Sequence, residues 1–341
     1  MKILLIDSLN DKYELMTDNC FQDLQTMLKK NLHDVKLVNM QSIISTSPRP
    51  IQLEMGRYSI IDRLYMMNEY LNRYLKLFSA DLIIANDMTF AEPINVPIVS
   101  ICQNPFTELS SNLYQFYGDK FVFEMSFNQL IQKSQLSQSK SIIAISQYVA
   151  DYLRRLGFNP KLINYFVDTE NFKPVERNKS PDDKPVALWT GGFSPKDGFH
   201  ILSRLVKDYP NITWKIAFKM PNRQKHILKN VEFIEYKNTP EFFSSADFFI
   251  STTQYEGFNS DALKAASCNI PVIASNIGWF YGNNDPKMGI VVERDNYDQY
   301  KQAVKQILEG SFSPRESVIS NGLIMARWEK EWLDFLKAKT F

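Results

Sequence analysis

The chain has 341 residues and a formal net charge of +1, with 39 basic and 38 acidic side chains. Hydrophobic residues make up 44% of it and aromatic residues 13%, which excludes a disordered chain. The balanced charge gives no electrostatic reason to expect nucleic acid or a strongly anionic membrane as a partner, and the length allows two or three domains.

Short apolar runs alternate along the chain with longer stretches of helical spacing. The runs predict buried strands at residues 2–6, 81–85, 97–102, 141–145, 187–190, 214–218, 247–252 and 271–275. The helical spacing predicts helices at residues 21–32, 60–78, 146–156 and 197–207. Strands that alternate with helices favour a parallel sheet with helices on both faces, so the predicted fold class is α/β.

One segment is both polar and rich in proline. Residues 171–185 include Pro174, Pro181 and Pro185, and we place the domain boundary there. Nine of the 12 glycines follow this segment. Because backbone amides approach a phosphate closely only where side chains are small, we expect any nucleotide site in the second half of the chain.

The predicted strand at 187–190 runs into a glycine turn, Gly191-Gly192, and then into a predicted helix. A strand, a glycine turn and a helix start bring unpaired amides and the positive helix end to one point, which favours an anion site. Lys196 lies in the same turn. A tight turn with nothing bound and an ordinary solvated lysine are the alternatives.

A second strand, loop and helix place Glu256 after the strand at 247–252, at the carboxyl end of a parallel strand, where ligands of open α/β sheets bind. We expect its carboxylate to accept hydrogen bonds from sugar hydroxyls, while amides of Gly257 and Phe258 face phosphate. Asn259 or Ser260 is predicted to cap the following helix. The alternative is a surface glutamate in a turn.

Other sites have little support in the sequence. The three cysteines and three histidines are far apart, which predicts no metal site and fits a reducing cytosol. Neither a G-x-S-x-G nor a G-x-G-x-x-G motif occurs. The sequence therefore lacks the motif of a hydrolase with a catalytic triad and that of a dinucleotide-binding dehydrogenase. No apolar run has the length of a membrane span or of an export signal, and we expect a cytoplasmic protein.

Residues 256–275, EGFNSDALKAASCNIPVIAS, resemble the donor-site signature of retaining glycosyltransferases with the GT-B fold, the group called family four or glycosyl transferases group 1. Segments 142–148, 164–174 and 288–292 are similar to further stretches of that family. The resemblance covers most of residues 140–310, whereas the first 140 residues match only in strand order. The chain resembles a divergent member.

The resemblance implies two Rossmann-like domains that face each other across a cleft. Residues 1–172 would form an acceptor-binding domain, 173–186 a linker and 187–320 a nucleotide-sugar domain. Residues 321–341, which contain Trp328 and Trp332, would form a helix that packs back on the first domain.

The implied activity is transfer of a hexose-type sugar from a nucleotide diphosphate sugar to a glycan or glycolipid acceptor, with retention of configuration and without a cofactor or metal. We expect it in the cytoplasm, with peripheral contact at the membrane's inner face, and Glu256 would be the catalytic residue that holds the sugar. The implied donor-binding residues are Gly191, Gly192, Lys196, Lys219, Gly257, Phe258, Asn259, Ser260 and Lys264. The implied acceptor-side residues are Asp87, Gln103 and Asn104.

Departures from the family pattern leave the function open. Gly192 and Asp197 stand where the family usually has an arginine and a lysine, and Lys264 replaces a glutamate that usually holds the ribose hydroxyls. A cation cannot accept those hydrogen bonds. One alternative is therefore a non-catalytic carbohydrate-binding or partner protein that has lost donor-site residues. A third hypothesis is an epimerase or hydrolase of the same fold.

Overall fold

The structure, a computed structural model, describes residues 1–7, 20–39, 60–86, 89, 93–103, 126, 129–178, 180, 183–218 and 229–339. The chain divides into two compact units. The first comprises Met1–Ile145, Val149–Ile163 and Leu333–Phe341, and the second comprises Ser146–Tyr148 and Asn164–Trp332.

The first unit contains a six-stranded, all-parallel sheet with the strand order β2-β1-β3-β4-β5-β6. Its strands are β1 (Lys2–Asp7), β2 (Asp34–Asn39), β3 (Leu82–Asn86), β4 (Ile98–Cys102), β5 (Ser141–Ala144) and β6 (Lys161–Leu162). The helices in this part of the chain are α1 (Cys20–Lys30), α2 (Ile60–Leu77), α3 (residues 129–138) and α4 (Gln147–Arg155).

The second unit contains another six-stranded, all-parallel sheet, ordered β9-β8-β7-β10-β11-β12. Its strands are β7 (Val186–Gly191), β8 (Thr213–Phe218), β9 (Val231–Glu235), β10 (Phe248–Ser251), β11 (Val272–Ser275) and β12 (Gly289–Val292). The remaining helices are α5 (Phe199–Asp208), α6 (Pro240–Ser244), α7 (Ser260–Ser267), α8 (Tyr297–Glu309), α9 (Pro314–Ser320) and α10 (Met325–Ala338). Short 3₁₀ turns occupy Pro195–Asp197 and Gly278–Phe280.

Burial explains why these segments form strands and helices. Every residue of β3, β4, β10 and β11 is buried, as expected for parallel strands that are covered on both faces. In the second unit, Trp189 of β7 and Trp214 of β8 are almost fully buried in one core with Tyr300 of α8. The predicted α/β fold class is confirmed.

The strands that sequence missed are those at sheet edges. All eight predicted strands are present, with ends within one residue of the predicted ones. The eight apolar runs omitted β2, β6, β9 and β12, which are the edge strands of the two sheets. An edge strand is only partly covered, so it needs no continuous apolar run, and β9 has no fully buried residue.

The segment before β7 is attached to the second unit. Arg315 donates hydrogen bonds to the carbonyl oxygens of Phe172 (2.8 Å) and Thr169 (2.9 Å), and Arg177 forms an ion pair with Asp247. Polar and proline-rich residues predicted a linker here, but side-chain contacts hold much of it against the unit that follows.

The last helix, α10, begins at Met325 and contributes residues to both units. Trp328 and Trp332 are both buried, and their rings lie 6.3 Å apart. Among the described helices, none is both long and apolar enough to cross a membrane.

Candidate functional site

The strand order of the second unit marks a ligand crevice. Counted along the chain, its strands lie in the order 3-2-1-4-5-6, so the order reverses between β7 and β10. In open α/β sheets, ligands bind outside the carboxyl ends of the strands at such a switch point. Two loops start there: residues 192–198, the β7 loop, and residues 252–259, the β10 loop.

The β7 loop contains its own capped turn. The Asp197 amide donates to Ser194 Oγ at 3.3 Å, and Ser194 Oγ donates to Asp197 Oδ2 at 2.6 Å. With Pro195 in its first position, this arrangement favours a separate 3₁₀ turn. Helix α5 therefore begins at Phe199, after Gly198, and the prediction that it begins at Asp197 is wrong.

The two loops are joined by close backbone contact. Gly198 has a φ of +71°, and a Cβ added to it would lie 1.8 Å from the Thr252 carbonyl oxygen. The Gln254 amide donates to the Lys196 carbonyl at 2.7 Å. Thr252 Oγ1 donates to the Asp197 carbonyl at 2.9 Å. Only glycine allows this approach at position 198, and the loops form one hydrogen-bonded edge of the crevice.

Buried hydroxyls fix the start of the β10 loop. Ser275 Oγ donates to the Thr253 carbonyl at 2.6 Å and lies 2.6 Å from the Tyr300 hydroxyl. Tyr300 also donates to the Ser251 carbonyl at 3.1 Å. Full burial raises the pKa of Tyr300 well above its usual range, so its phenol stays a hydrogen-bond donor.

The centre of the β10 loop is held through its carbonyl oxygens. Gly257 accepts from Ser146 Oγ at 2.6 Å, and Phe258 accepts from the Trp279 amide at 3.1 Å. The Phe258 ring is buried edge-on against Tyr165, with centroids 5.7 Å apart. The Phe258 side chain therefore packs in the interior. Its predicted contact with the donor would be made by its backbone amide.

Helix α7 begins at the end of the β10 loop, at Ser260. Asn259 occupies the N-cap position in the left-handed conformation (φ +69°), but its side chain makes no cap hydrogen bond. Its Nδ2 donates instead to Ser251 Oγ at 3.2 Å. The prediction of Asn259 as the cap is right in position and wrong in its hydrogen bond, because the side chain ties the loop to the strand end.

Gly191 ends β7 and Gly192 begins the β7 loop, and close neighbours explain why both positions have no side chain. A Cβ on Gly191 would lie 2.6 Å from the Trp189 ring, and one on Gly192 would lie 3.0 Å from Asp197 Oδ2. The Asp197 carboxylate therefore lies beside Gly192. A phosphate that approached this loop would meet that negative charge as well as the Lys196 cation.

Lys264 faces protein groups rather than open solvent. Its ammonium lies 3.9 Å from Asp261 Oδ1 and 5.6 Å from the Phe172 ring centroid, and its side chain is only 12% exposed. Asp261 also accepts hydrogen bonds from Thr190 (2.7 Å) and the Tyr236 hydroxyl (3.0 Å). A direct donor contact by Lys264 stays a prediction. Glu256 is half-buried in the β10 loop, four residues before α7.

In the first unit, Asn86 and Gln103 lie at or just after the carboxyl ends of β3 and β4. Gln135 of α3 donates to the Asn86 carbonyl (2.5 Å) and to Ser100 Oγ (2.8 Å), which fixes the end of β3. Gln103 is half-buried. Three predicted site residues lie outside the described residues: Asp87, Asn104 and Lys219.

The part of the chain that the structure describes contains no group of three or more histidine, cysteine, aspartate and glutamate side chains placed to hold a metal ion. Its three cysteines are buried and form no disulfide. Burial raises the pKa of Cys268 to about 11, so this thiol stays protonated near neutral pH.

Sequence reasoning missed the residues that connect the loops to the sheet. Asp261, Tyr236, Ser275 and Tyr300 were not singled out, although all four contact groups at the switch point or at its loops. For one of these four residues, Ser275, the sequence contains a signal. Ser275 ends an otherwise apolar buried strand, and a polar residue there predicts a role at the carboxyl edge.

Comparisons with known proteins agree with this geometry. Residues 171–324 match the family model described as "Glycosyl transferases group 1". A relative in Methanocaldococcus jannaschii, described as an uncharacterized glycosyltransferase, is 26% identical over 208 residues. The aligned residues span 57% of this chain and 57% of that relative.

Solved glycosyltransferase structures share the fold. The sucrose-phosphate synthase of Thermosynechococcus elongatus has a TM-score of 0.78 at 16% identity, over 99% of this chain and 100% of that chain. Anabaena HepE, solved in complex with UDP, has a TM-score of 0.64 at 15% identity, with the same coverage. Two six-stranded parallel sheets with helices make the fold GT-B-like, as the resemblance implied.

Proposed function

We propose that the protein is a glycosyltransferase that moves a hexose-type sugar from a nucleotide diphosphate sugar to a glycan or glycolipid acceptor, with retention of configuration. The observation that supports this proposal is the pair of hydrogen-bonded loops at the β7/β10 switch point. Glu256 and Lys196 belong to these loops, and α7 begins where the β10 loop ends. HepE, which shares the fold, has been solved with UDP-glucose.

In this proposal, Glu256 accepts hydrogen bonds from hydroxyls of the donor sugar, and Lys196 and the amides near Ser260 bind the diphosphate. The bond between the anomeric carbon and the phosphate oxygen breaks, and the nucleoside diphosphate leaves with the bonding electrons. The acceptor oxygen bonds to that carbon and passes its proton to the departing phosphate. Amides and Lys196 stabilise the charge that develops on this leaving group.

We assign the acceptor to the carboxyl edge of the first sheet, where Gln103 follows β4. The side-chain amide of Gln103 donates and accepts hydrogen bonds, which suits sugar hydroxyls. We further propose that the protein acts in the cytoplasm, on a glycan or on a glycolipid at the inner face of the membrane.

The test is a pair of matched variants. Glu256→Gln keeps the shape of the side chain and removes the carboxylate, and we expect the turnover of sugar transfer to fall by roughly 100-fold, or about 2.7 kcal/mol. The melting temperature should stay within about 2 °C of the wild type, because the loop is held by other residues. The control is Glu309→Gln at the end of α8, an exposed glutamate, which should leave turnover unchanged. Unchanged turnover in Glu256→Gln would remove the assignment.

Specific observations favour a second candidate, a non-catalytic carbohydrate-binding or partner protein. The Asp197 carboxylate lies beside Gly192, and the Lys264 ammonium faces Asp261, so both reduce the positive charge available to a diphosphate. A thermal-shift screen against UDP-, GDP- and ADP-hexoses separates the two candidates. A transferase is stabilised by at least one nucleotide sugar, whereas this second candidate is stabilised by none.

A further inference from the structure

A buried carboxylate outside the proposed donor residues lies at the same switch point. Asp261, in the first turn of α7, is 6% exposed. Its Oδ2 accepts a hydrogen bond from Thr190, the penultimate residue of β7, at 2.7 Å, and its Oδ1 accepts one from the Tyr236 hydroxyl at 3.0 Å. Tyr236 directly follows β9, so three elements bring polar groups together at the carboxyl edge of the sheet.

The neighbouring Lys264 ammonium cannot accept hydrogen bonds as the Asp261 carboxylate does. The Lys264 ammonium, one helical turn further along α7, lies 3.9 Å from Asp261 Oδ1. An ammonium only donates hydrogen bonds, so the acceptor at this face of α7 is the Asp261 carboxylate. The side chain of Asp261 is 8% exposed, and Thr190 and Tyr236 are half-buried, so part of this group remains open to solvent.

The arrangement suits a vicinal diol. A carboxylate accepts hydrogen bonds from hydroxyls, and dinucleotide-binding sheets with this strand order use an acidic side chain to bind a ribose hydroxyl. The hydroxyls of Thr190 and Tyr236 both donate and accept, so they match the mixed character of a diol.

We propose that Asp261 binds the ribose diol of the nucleotide donor, with Thr190 and Tyr236 beside it. The inference rests on the proposed function and makes it more specific, because it assigns the donor to ribonucleotide sugars rather than 2′-deoxyribonucleotide sugars. It moves ribose recognition from position 264, where this chain has a lysine, to a carboxylate one turn earlier in α7.

The test compares nucleotides that differ in one hydroxyl. Calorimetry with the full chain measures the affinities of UDP, GDP, ADP and CDP and of their 2′-deoxy counterparts. For the nucleotide that binds best, we expect the 2′-deoxy form to bind at least tenfold more weakly to the wild type, because a hydrogen bond to a charged group is lost. The ratio should fall to about threefold in Asp261→Asn and to near one in Asp261→Ala.

A matched control separates ribose binding from a general effect on folding. Asp285 also accepts hydrogen bonds through its carboxylate, from Ser317 and Asn321, and it precedes β12 at the amino end of that strand. Asp285→Asn should keep the full preference for the ribonucleotide, even if its stability falls. If Asp261→Ala does not fold, Asp261→Asn alone carries the comparison.

The outcomes distinguish a failure of the ribose assignment from a failure of the proposed glycosyltransferase function. Equal binding of ribonucleotide and 2′-deoxyribonucleotide by the wild type, or a preference that persists in both Asp261 variants, overturns the inference and leaves the proposed function standing. If none of the eight nucleotides binds, the proposed function itself is contradicted, and the ribose assignment with it.

Discussion

The β7 loop and the β10 loop border the same crevice, yet they are held in different ways. The β10 loop is attached to buried groups of the second unit through Ser275, Ser146 and the Trp279 amide. The β7 loop is held by its own Ser194–Asp197 turn and by hydrogen bonds to the β10 loop. The β10 loop therefore acts as the fixed side, against which the β7 loop is placed.

The two loops also differ in what they have kept of the family resemblance. The β10 loop retains the glutamate and glycine of the signature, whereas the β7 loop carries Gly192 and Asp197 in place of cations. Hydrogen bonds from Ser275, Ser146 and the Trp279 amide hold the β10 loop. Lys196 and Asp197 carry the charges of the β7 loop. Between the two loops, the departures from the family pattern therefore lie in the charges of the β7 loop, whereas the β10 loop keeps the signature residues.

The largest effect is expected where the contact between the two loops is removed. In Gly198→Ala, the new Cβ would lie 1.8 Å from the Thr252 carbonyl oxygen, in a left-handed conformation. We expect a loss of about 3 kcal/mol or more in the free energy of unfolding, from overpacking together with backbone strain. Thermal unfolding measures it.

Gly282 provides the matched control for that variant. It also has a positive φ (+67°), but a Cβ there meets nothing within 4 Å. Gly282→Ala should cost about 1 kcal/mol, the strain alone. Equal losses in the two variants would show that the contact between the loops is not what requires glycine at position 198.

A smaller effect is expected where the β10 loop joins the core. Tyr300→Phe removes the hydroxyl that donates to the Ser251 carbonyl and lies beside Ser275, and it should cost roughly 1 to 2 kcal/mol of stability. Because the pKa of Tyr300 is raised on folding, the native state keeps its proton while the unfolded phenol ionises near pH 10.

The pH dependence follows from that difference. The contribution of Tyr300 to stability is fully present below about pH 10 and is lost as the pH rises towards the native pKa. Chemical unfolding at pH 8 and near pH 10.8 measures the decline, and Tyr300→Phe should show less of it than the wild type. The same decline in both proteins would contradict this assignment.

The smallest effect concerns the charge of the β7 loop. Asp197→Asn removes a negative charge beside Gly192, and we expect a nucleoside diphosphate to bind about threefold to tenfold more tightly. Lys196→Met should weaken the same affinity by a similar factor. Calorimetry at two salt concentrations checks both, since the charge effects shrink as salt increases. Unchanged affinity in both variants would exclude the β7 loop from phosphate binding.

Much of the frame could be predicted from the sequence, for physical reasons. Central parallel strands are covered on both faces, so β3, β4, β10 and β11 appear as apolar runs, and Glu256 follows β10 by simple counting. The edge strand β9 lacks that signal. The Ser275–Tyr300 contact joins residues 25 positions apart, and the Asp261–Thr190 contact joins residues 71 apart. Neither separation follows from a helical or strand period, so these contacts were found only in the structure.

If a nucleotide sugar binds against both loops at the switch point, amide hydrogen exchange in those loops should slow on binding. Amide exchange would be measured with and without the nucleotide sugar that stabilises the protein best, among UDP-, GDP- and ADP-hexoses. We expect slower exchange in peptides that cover residues 191–198 and 256–261, with peptides of α9 unchanged. Binding that protects neither segment, or no binding by any of these donors, would contradict this expectation.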